Sequence, residues 1–123
     1  MKTKPGFTVR MTIERSALDV YNYIVDPKNL TKWASGLASG PGGAAVKVRF
    51  VERNKFGVLD HYVSVGSGPE VYMPMRVFPN GDGAELLITV YRQPGVTEEK
   101  FVDDTQWVRR DLEALKELLE KQK

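Results

Sequence analysis

From Thr97 to Leu119 the chain reads TEEKFVDDTQWVRRDLEALKELL, and this stretch decides what the remainder must be. Phe101, Val108, Leu112, Leu115 and Leu119 recur at helical spacing, and Trp107, Ala114 and Leu118 widen that stripe. Glu98, Glu99, Arg109, Arg110, Glu113, Lys116 and Glu117 take up the rest of the circumference. Pro94-Gly95 breaks the preceding segment, Thr97 can accept the first free amides as N-cap, and Glu98 and Glu99 sit where the helix dipole favours negative charge. The spacing predicts one amphipathic helix of roughly 35 Å. With a single apolar stripe, it needs a concave sheet to lie across.

The preceding residues supply such a sheet. Phe7, Val9, Met11 and Ile13 alternate with Thr8, Arg10, Thr12 and Glu14, the pattern of a strand with one buried face. Ser16 and Asp19 form a capping box for a helix whose face is Ala17, Val20, Tyr21 and Ile24. Asp26-Pro27 stops that helix and starts a second short one through Trp33. Residues 34–45 are small and glycine-rich, without periodicity, and read as a loop. Val46, Val48 and Phe50 mark a second strand, Leu59, His61, Val63 and Val65 a third, Val71, Met73, Met75 and Val77 a fourth, and Leu86, Ile88 and Val90 a fifth. Pro74 cannot donate to a ladder and argues for an edge or a bulge in the fourth. Asn80-Gly81 is the strongest hairpin signal. Strands joined in sequence by tight turns form an antiparallel meander, so the expectation is an α+β helix-grip fold: a curved antiparallel sheet wrapped on the long C-terminal helix, with two short helices after the first strand.

Composition narrows the function. The 123 residues suit one domain, residues 1–123, with a real core. There is no cysteine, which excludes disulfides, thiolate metal sites and a cysteine nucleophile. No apolar run approaches the ~20 residues that span a bilayer, and Met1 to Phe7 lacks the apolar core of a signal peptide, so a cytoplasmic protein without membrane insertion is expected. The net charge is +2. Lys47, Arg49, Arg53 and Lys55 form the one local basic cluster, but no aromatic residues alternate with them on the same face for base stacking, so no nucleic-acid partner is expected. No phosphate loop or serine nucleophile elbow is present, and a single histidine cannot build an ordinary zinc site, so neither metal nor cofactor is expected. Asp103, Asp104 and Asp111 read as solvated helix surface near Arg109 and Arg110.

Val9 to Trp33, ending Asp26-Pro27-Lys28-Asn29-Leu30-Thr31-Lys32-Trp33, resembles the opening of the START-like superfamily, also called SRPBCC or Bet v 1-like, and in particular its polyketide cyclase/dehydrase and lipid-transport branch. Met73 to Val77, Asn80 to Gly83, Tyr91 to Gly95 and Trp107 to Leu119 are similar to small bacterial members of that group. The superfamily usually shows six or seven strands, whereas this sequence reads as five, the shortage falling between Trp33 and Val46. That shortage would leave one sheet edge open and favour a homodimer paired through it.

The resemblance implies a cavity between sheet and C-terminal helix. Alternation points Phe50, His61, Val63, Met73, Met75, Ile88, Phe101, Trp107 and Val108 inward, with Trp33 and Leu37 near a mouth. Methionine adapts to irregular shapes, so Met73 and Met75 suit an apolar ligand; simple core packing is the other reading for them and for Trp107. His61 is the one polar residue on its strand face, able to hydrogen-bond a ligand or to move a proton. The function expected is binding or transport of a small hydrophobic or aromatic molecule. The alternatives are a polyketide cyclase/dehydratase using His61 as acid/base, and a dimerising interaction module.

Overall fold

The computed structural model describes residues 2–34 and 45–122, so Leu37 and most of the glycine-rich stretch lie outside the described residues. The elements run β1 (Gly6–Ile13), α1 (Ala17–Val25), a 3-10 turn (Pro27–Asn29), α2 (Leu30–Trp33), β2 (Val46–Phe50), β3 (His61–Val65), β4 (Val71–Met73), β5 (Met75–Asn80), β6 (Gly83–Tyr91) and α3 (Glu98–Lys121). The expected caps form. Ser16 Oγ accepts the Asp19 N–H at 3.1 Å, an Asp26 carboxylate oxygen accepts the Lys28 N–H at 3.0 Å, and Thr97 Oγ1 accepts the Lys100 N–H at 3.1 Å.

The described residues contain six strands, not five. Pro74 divides the fourth expected strand into β4 and β5, because it has no N–H to donate. The side-chain phase survives the break. His61 faces Met73 in the β3–β4 ladder, and Val58, just before β3, faces Arg76 of β5 in the same register. That bridge joins β1-β6-β5 to β2-β3-β4, and all pairings are antiparallel. Gly57 allows the close approach there. Its φ is 72°, and a Cβ on it would lie 1.9 Å from the Val77 carbonyl oxygen.

Ladder registers set the inward residues in rows across the sheet. Ala84 lies beside Ile13, Leu86 beside Met11 and Val77, and Ile88 beside Val9 and Met75. The next row holds Phe50, His61 and Met73, and the row beyond it Val48, Val63 and Val71.

α3 is tied to the end of β1. The Lys116 ammonium donates to the Thr12 carbonyl at 2.7 Å, Glu120 accepts the Glu14 N–H at 2.9 Å, and the Arg15 guanidinium donates to the Leu119 carbonyl at 2.6 Å. At the other end, the Arg92 N–H donates to the Pro5 carbonyl at 2.9 Å and brings the start of α3 near the start of β1. The helix therefore runs in the same direction as β1. Its buried residues are Leu112, Leu115 and Leu119, all in the C-terminal half. They close one core with Val9, Ile13, Leu59, Met75, Val77, Leu86 and Ile88 of the sheet and Val20, Tyr21, Ile24 and Trp33 of the short helices.

Candidate functional site

Burial divides the concave face into two ends. Val9, Leu59 and Met75 have no exposure, and Ile88 has 5%. One row further, Phe50 and Met73 are only half-buried, and Val48, Val63 and Val71 beyond them are half-buried too. The helix follows the same division: Phe101 and Val108 are half-buried and Val102 is exposed, whereas Leu112, Leu115 and Leu119 are enclosed. Because α3 runs in the same direction as β1, its less buried N-terminal half lies toward the start of β1, where Phe7 is 45% exposed. The sheet and helix thus leave apolar surface incompletely covered at one shared end.

His61 stands at the boundary. It is 4% exposed, its ring centroid lies 5.0 Å from that of Phe50, and Met73 faces it across the ladder. Its Nδ1 lies 3.0 Å from the Leu59 carbonyl oxygen. A carbonyl only accepts, so Nδ1 carries the hydrogen and the neutral ring has its lone pair on Nε2. Among the described residues nothing hydrogen-bonds Nε2. Burial pushes the ring below its ordinary 6.5, outweighing the Leu59 carbonyl and the Asp60 charge, which favour protonation.

The Leu59 carbonyl is available because the ladder is altered beside Pro74. The Leu59 N–H donates to the Met75 carbonyl at 2.8 Å, but the Met75 N–H donates to Asp60 at 2.9 Å instead of returning the bond. Asp60, on the convex face, also accepts from the Tyr72 hydroxyl at 2.8 Å and from two nitrogens of Arg76 at 3.1 and 2.9 Å. Burial alone would raise its pKa; the bonds from Arg76, the Met75 N–H and Tyr72 outweigh that and hold the carboxyl below its ordinary 3.8. Asp60 therefore makes no hydrogen bond to the imidazole, which the Leu59 carbonyl orients directly.

The expected site residues thus separate. Phe50, His61, Val63 and Met73 lie together on the incompletely covered end, with Phe101 and Val108 in the corresponding half of α3. Met75 and Ile88 belong to the packed core. Trp107 does not point inward as expected: it is 44% exposed, with the Arg110 guanidinium 4.9 Å from its ring centroid. Trp33 is buried, and its Nε1, like the Tyr23 hydroxyl, has no hydrogen-bond partner among the described residues. Two surface clefts, of about 410 and 270 Å³, lie elsewhere: one beside Thr12, Glu14 and Asp82, the other beside Lys4, Arg92 and Gln93. Of the basic cluster, Arg49 pairs with Glu70 at 2.9 Å and stacks on Tyr62, and Arg53 donates to Asn22 at 3.1 Å. Among the described residues no three His, Asp or Glu side chains converge as metal ligands, and no helix is long and apolar enough to cross a membrane.

No protein-family profile and no curated protein matches this chain. Solved structures do. DynU16, a protein in the dynemicin biosynthetic locus, superposes with a TM-score of 0.75 at 15% identity over 98% of this chain and 49% of its own. The present chain therefore spans about half the length of DynU16. Ara h 8.0201 gives 0.69 at 13% identity, covering 97% and 99% of the two chains. CalU16 from Micromonospora echinospora gives 0.67 at 16% identity, covering 93% and 73%. The fold is the START-like, or Bet v 1-like, helix-grip fold.

Proposed function

We propose that the protein binds a small apolar or aromatic molecule between the β2-β3-β4 end of the concave face and the N-terminal half of α3. The observation that carries this reading is the uneven closure of the two layers. Leu112, Leu115 and Leu119 complete the core at one end, whereas Phe50, Val63, Met73, Phe101 and Val108 remain half-buried at the other. Apolar surface left partly in water gains about 25 cal/mol per Å² when a ligand covers it. Affinity would come from that burial and orientation from the single polar group among these residues, His61.

The test is a titration with Nile red, an uncharged apolar dye, followed by competition with 2-naphthol, on the native chain and on Val63→Glu. Saturable binding that Val63→Glu removes, with the circular dichroism spectrum unchanged, supports the reading. Absence of binding to the native chain contradicts it.

A catalytic reading of the same site draws on one observation: the Nε2 lone pair of a buried, neutral His61 is suited to take a proton. An acid/base role in polyketide-type cyclisation or dehydration predicts that His61→Ala retains ligand and loses turnover. A carrier has no turnover to lose.

A further inference from the structure

We infer that the molecule bound beside His61 presents a hydrogen-bond donor to it, a phenol or other hydroxyl group on an aromatic body, in preference to a carbonyl, ether or carboxylate. This deepens the binding reading above and rests on it.

The argument is one of donor and acceptor inventory. The Leu59 carbonyl lies 3.0 Å from Nδ1 and can only accept, so the hydrogen of the neutral imidazole is committed to the backbone. Nε2 is left as an acceptor, without a hydrogen-bond partner among the described residues. The tautomer cannot easily exchange. Moving the hydrogen to Nε2 would set the Nδ1 lone pair against the Leu59 oxygen. That oxygen has no Met75 N–H to turn to, because Asp60 holds it at 2.9 Å. A keto, ether or carboxylate oxygen would therefore meet Nε2 lone pair against lone pair. A hydroxyl meets it as donor.

The immediate surroundings fix the remainder of the ligand class. The Phe50 ring is 5.0 Å away, and Met73 faces His61 across the ladder. An aromatic ring and a thioether favour a flat aromatic partner. The nearest charged side chain along the strand, Asp60, is turned to the convex face and engaged with Arg76 and Tyr72. Nothing on the inner strand face at this row therefore compensates an anionic ligand.

The experiment compares 2-naphthol, 2-methoxynaphthalene and 2-naphthoate by calorimetric titration against the native chain and His61→Leu, at about pH 7.5, where an ordinary phenol remains protonated. The expected result is that 2-naphthol binds the native chain about tenfold more tightly than its methyl ether and that His61→Leu brings the two together. Equal affinities for the native chain, or tighter binding of 2-naphthoate, would overturn the inference and leave the binding reading standing. If none of the three binds, both fall. A measurement on the native chain removes dependence on the variant's folding: 15N spectra of its single imidazole must show Nδ1 protonated and Nε2 bare, with Nε2 alone shifting as 2-naphthol is added. A ring protonated on Nε2 instead overturns the inference.

Discussion

His61 Nδ1 meets the carbonyl oxygen of Leu59, two residues earlier on the chain, at 3.0 Å, and it does so because the Met75 N–H has turned to Asp60. A proline in one strand, a carboxylate on the convex face and an imidazole on the concave face are thereby linked through a single interrupted rung.

One consequence is a dependence of stability on pH. The folded state holds the His61 ring below its ordinary 6.5, so between the folded and unfolded pKa values the unfolded chain binds more protons. Stability is therefore at its full value above about 6.5 and declines as the pH is lowered through that value toward the folded pKa. The chain has one histidine, so His61→Phe should abolish the decline. Urea denaturation at a series of pH values between about 8 and 5 checks this. A native chain of constant stability across the window contradicts it.

Asp60 titrates in a lower window. Its carboxyl is held below the ordinary 3.8, so its contribution is present above that value and is lost as the pH falls below it. Replacing it strands the Met75 N–H and the Tyr72 hydroxyl. Because Arg76 is half-exposed and readily rehydrated, Asp60→Ala should cost about 2 kcal/mol rather than the larger penalty of a fully buried pair. Denaturant midpoints measure it, and a change under about 0.5 kcal/mol would show the cluster to be ornamental.

The two ends of the core should respond differently to truncation. Leu115→Ala and Met75→Ala remove fully buried side chains and should each destabilise by about 2–5 kcal/mol. Met73→Ala, half-buried at the open end, should lose less than about 1.5 kcal/mol while weakening the binding of 2-naphthol. Equal losses of stability at Met73 and Met75 would argue that both ends are equally packed.

Gly57 and Gly81 separate backbone strain from steric exclusion. Both have positive φ, 72° and 58°, but a Cβ at Gly57 would overlap the Val77 carbonyl, whereas at Gly81 it meets nothing within 4 Å. Gly81→Ala should destabilise by about 1 kcal/mol and Gly57→Ala by distinctly more, because the seam between β5 and the segment before β3 must open. Thermal melts of the two variants give the ordering, and similar midpoints would contradict it.

Much of this architecture was legible in the sequence because its signals are local. Thr97, Ser16 and Asp26-Pro27 act within one turn of themselves, and each caps as its residue type predicts. The count of strands was not legible for the same reason: Val71, Met73, Met75 and Val77 keep a period of two across Pro74, so alternation alone cannot reveal that the ladder breaks there. Trp107 misled because helical periodicity gives a direction but not how much of the circumference a sheet will cover. The Asp60 cluster escaped notice because its partners lie 12 and 16 residues away and meet only through strand register.

The most direct test of an uneven concave face uses the methionines as reporters. With methyl-13C methionine in the native chain, addition of 2-naphthol should shift the Met73 resonance, which stands at the open row, and leave in place fully buried Met75 and also Met11, which packs against the core from the closed end of β1. Saturating shifts confined to Met73, and weakened by Val63→Glu, are the predicted result. Shifts of Met75 or Met11 as large as that of Met73, or none at any of the three, would contradict a face filled at one end and open at the other.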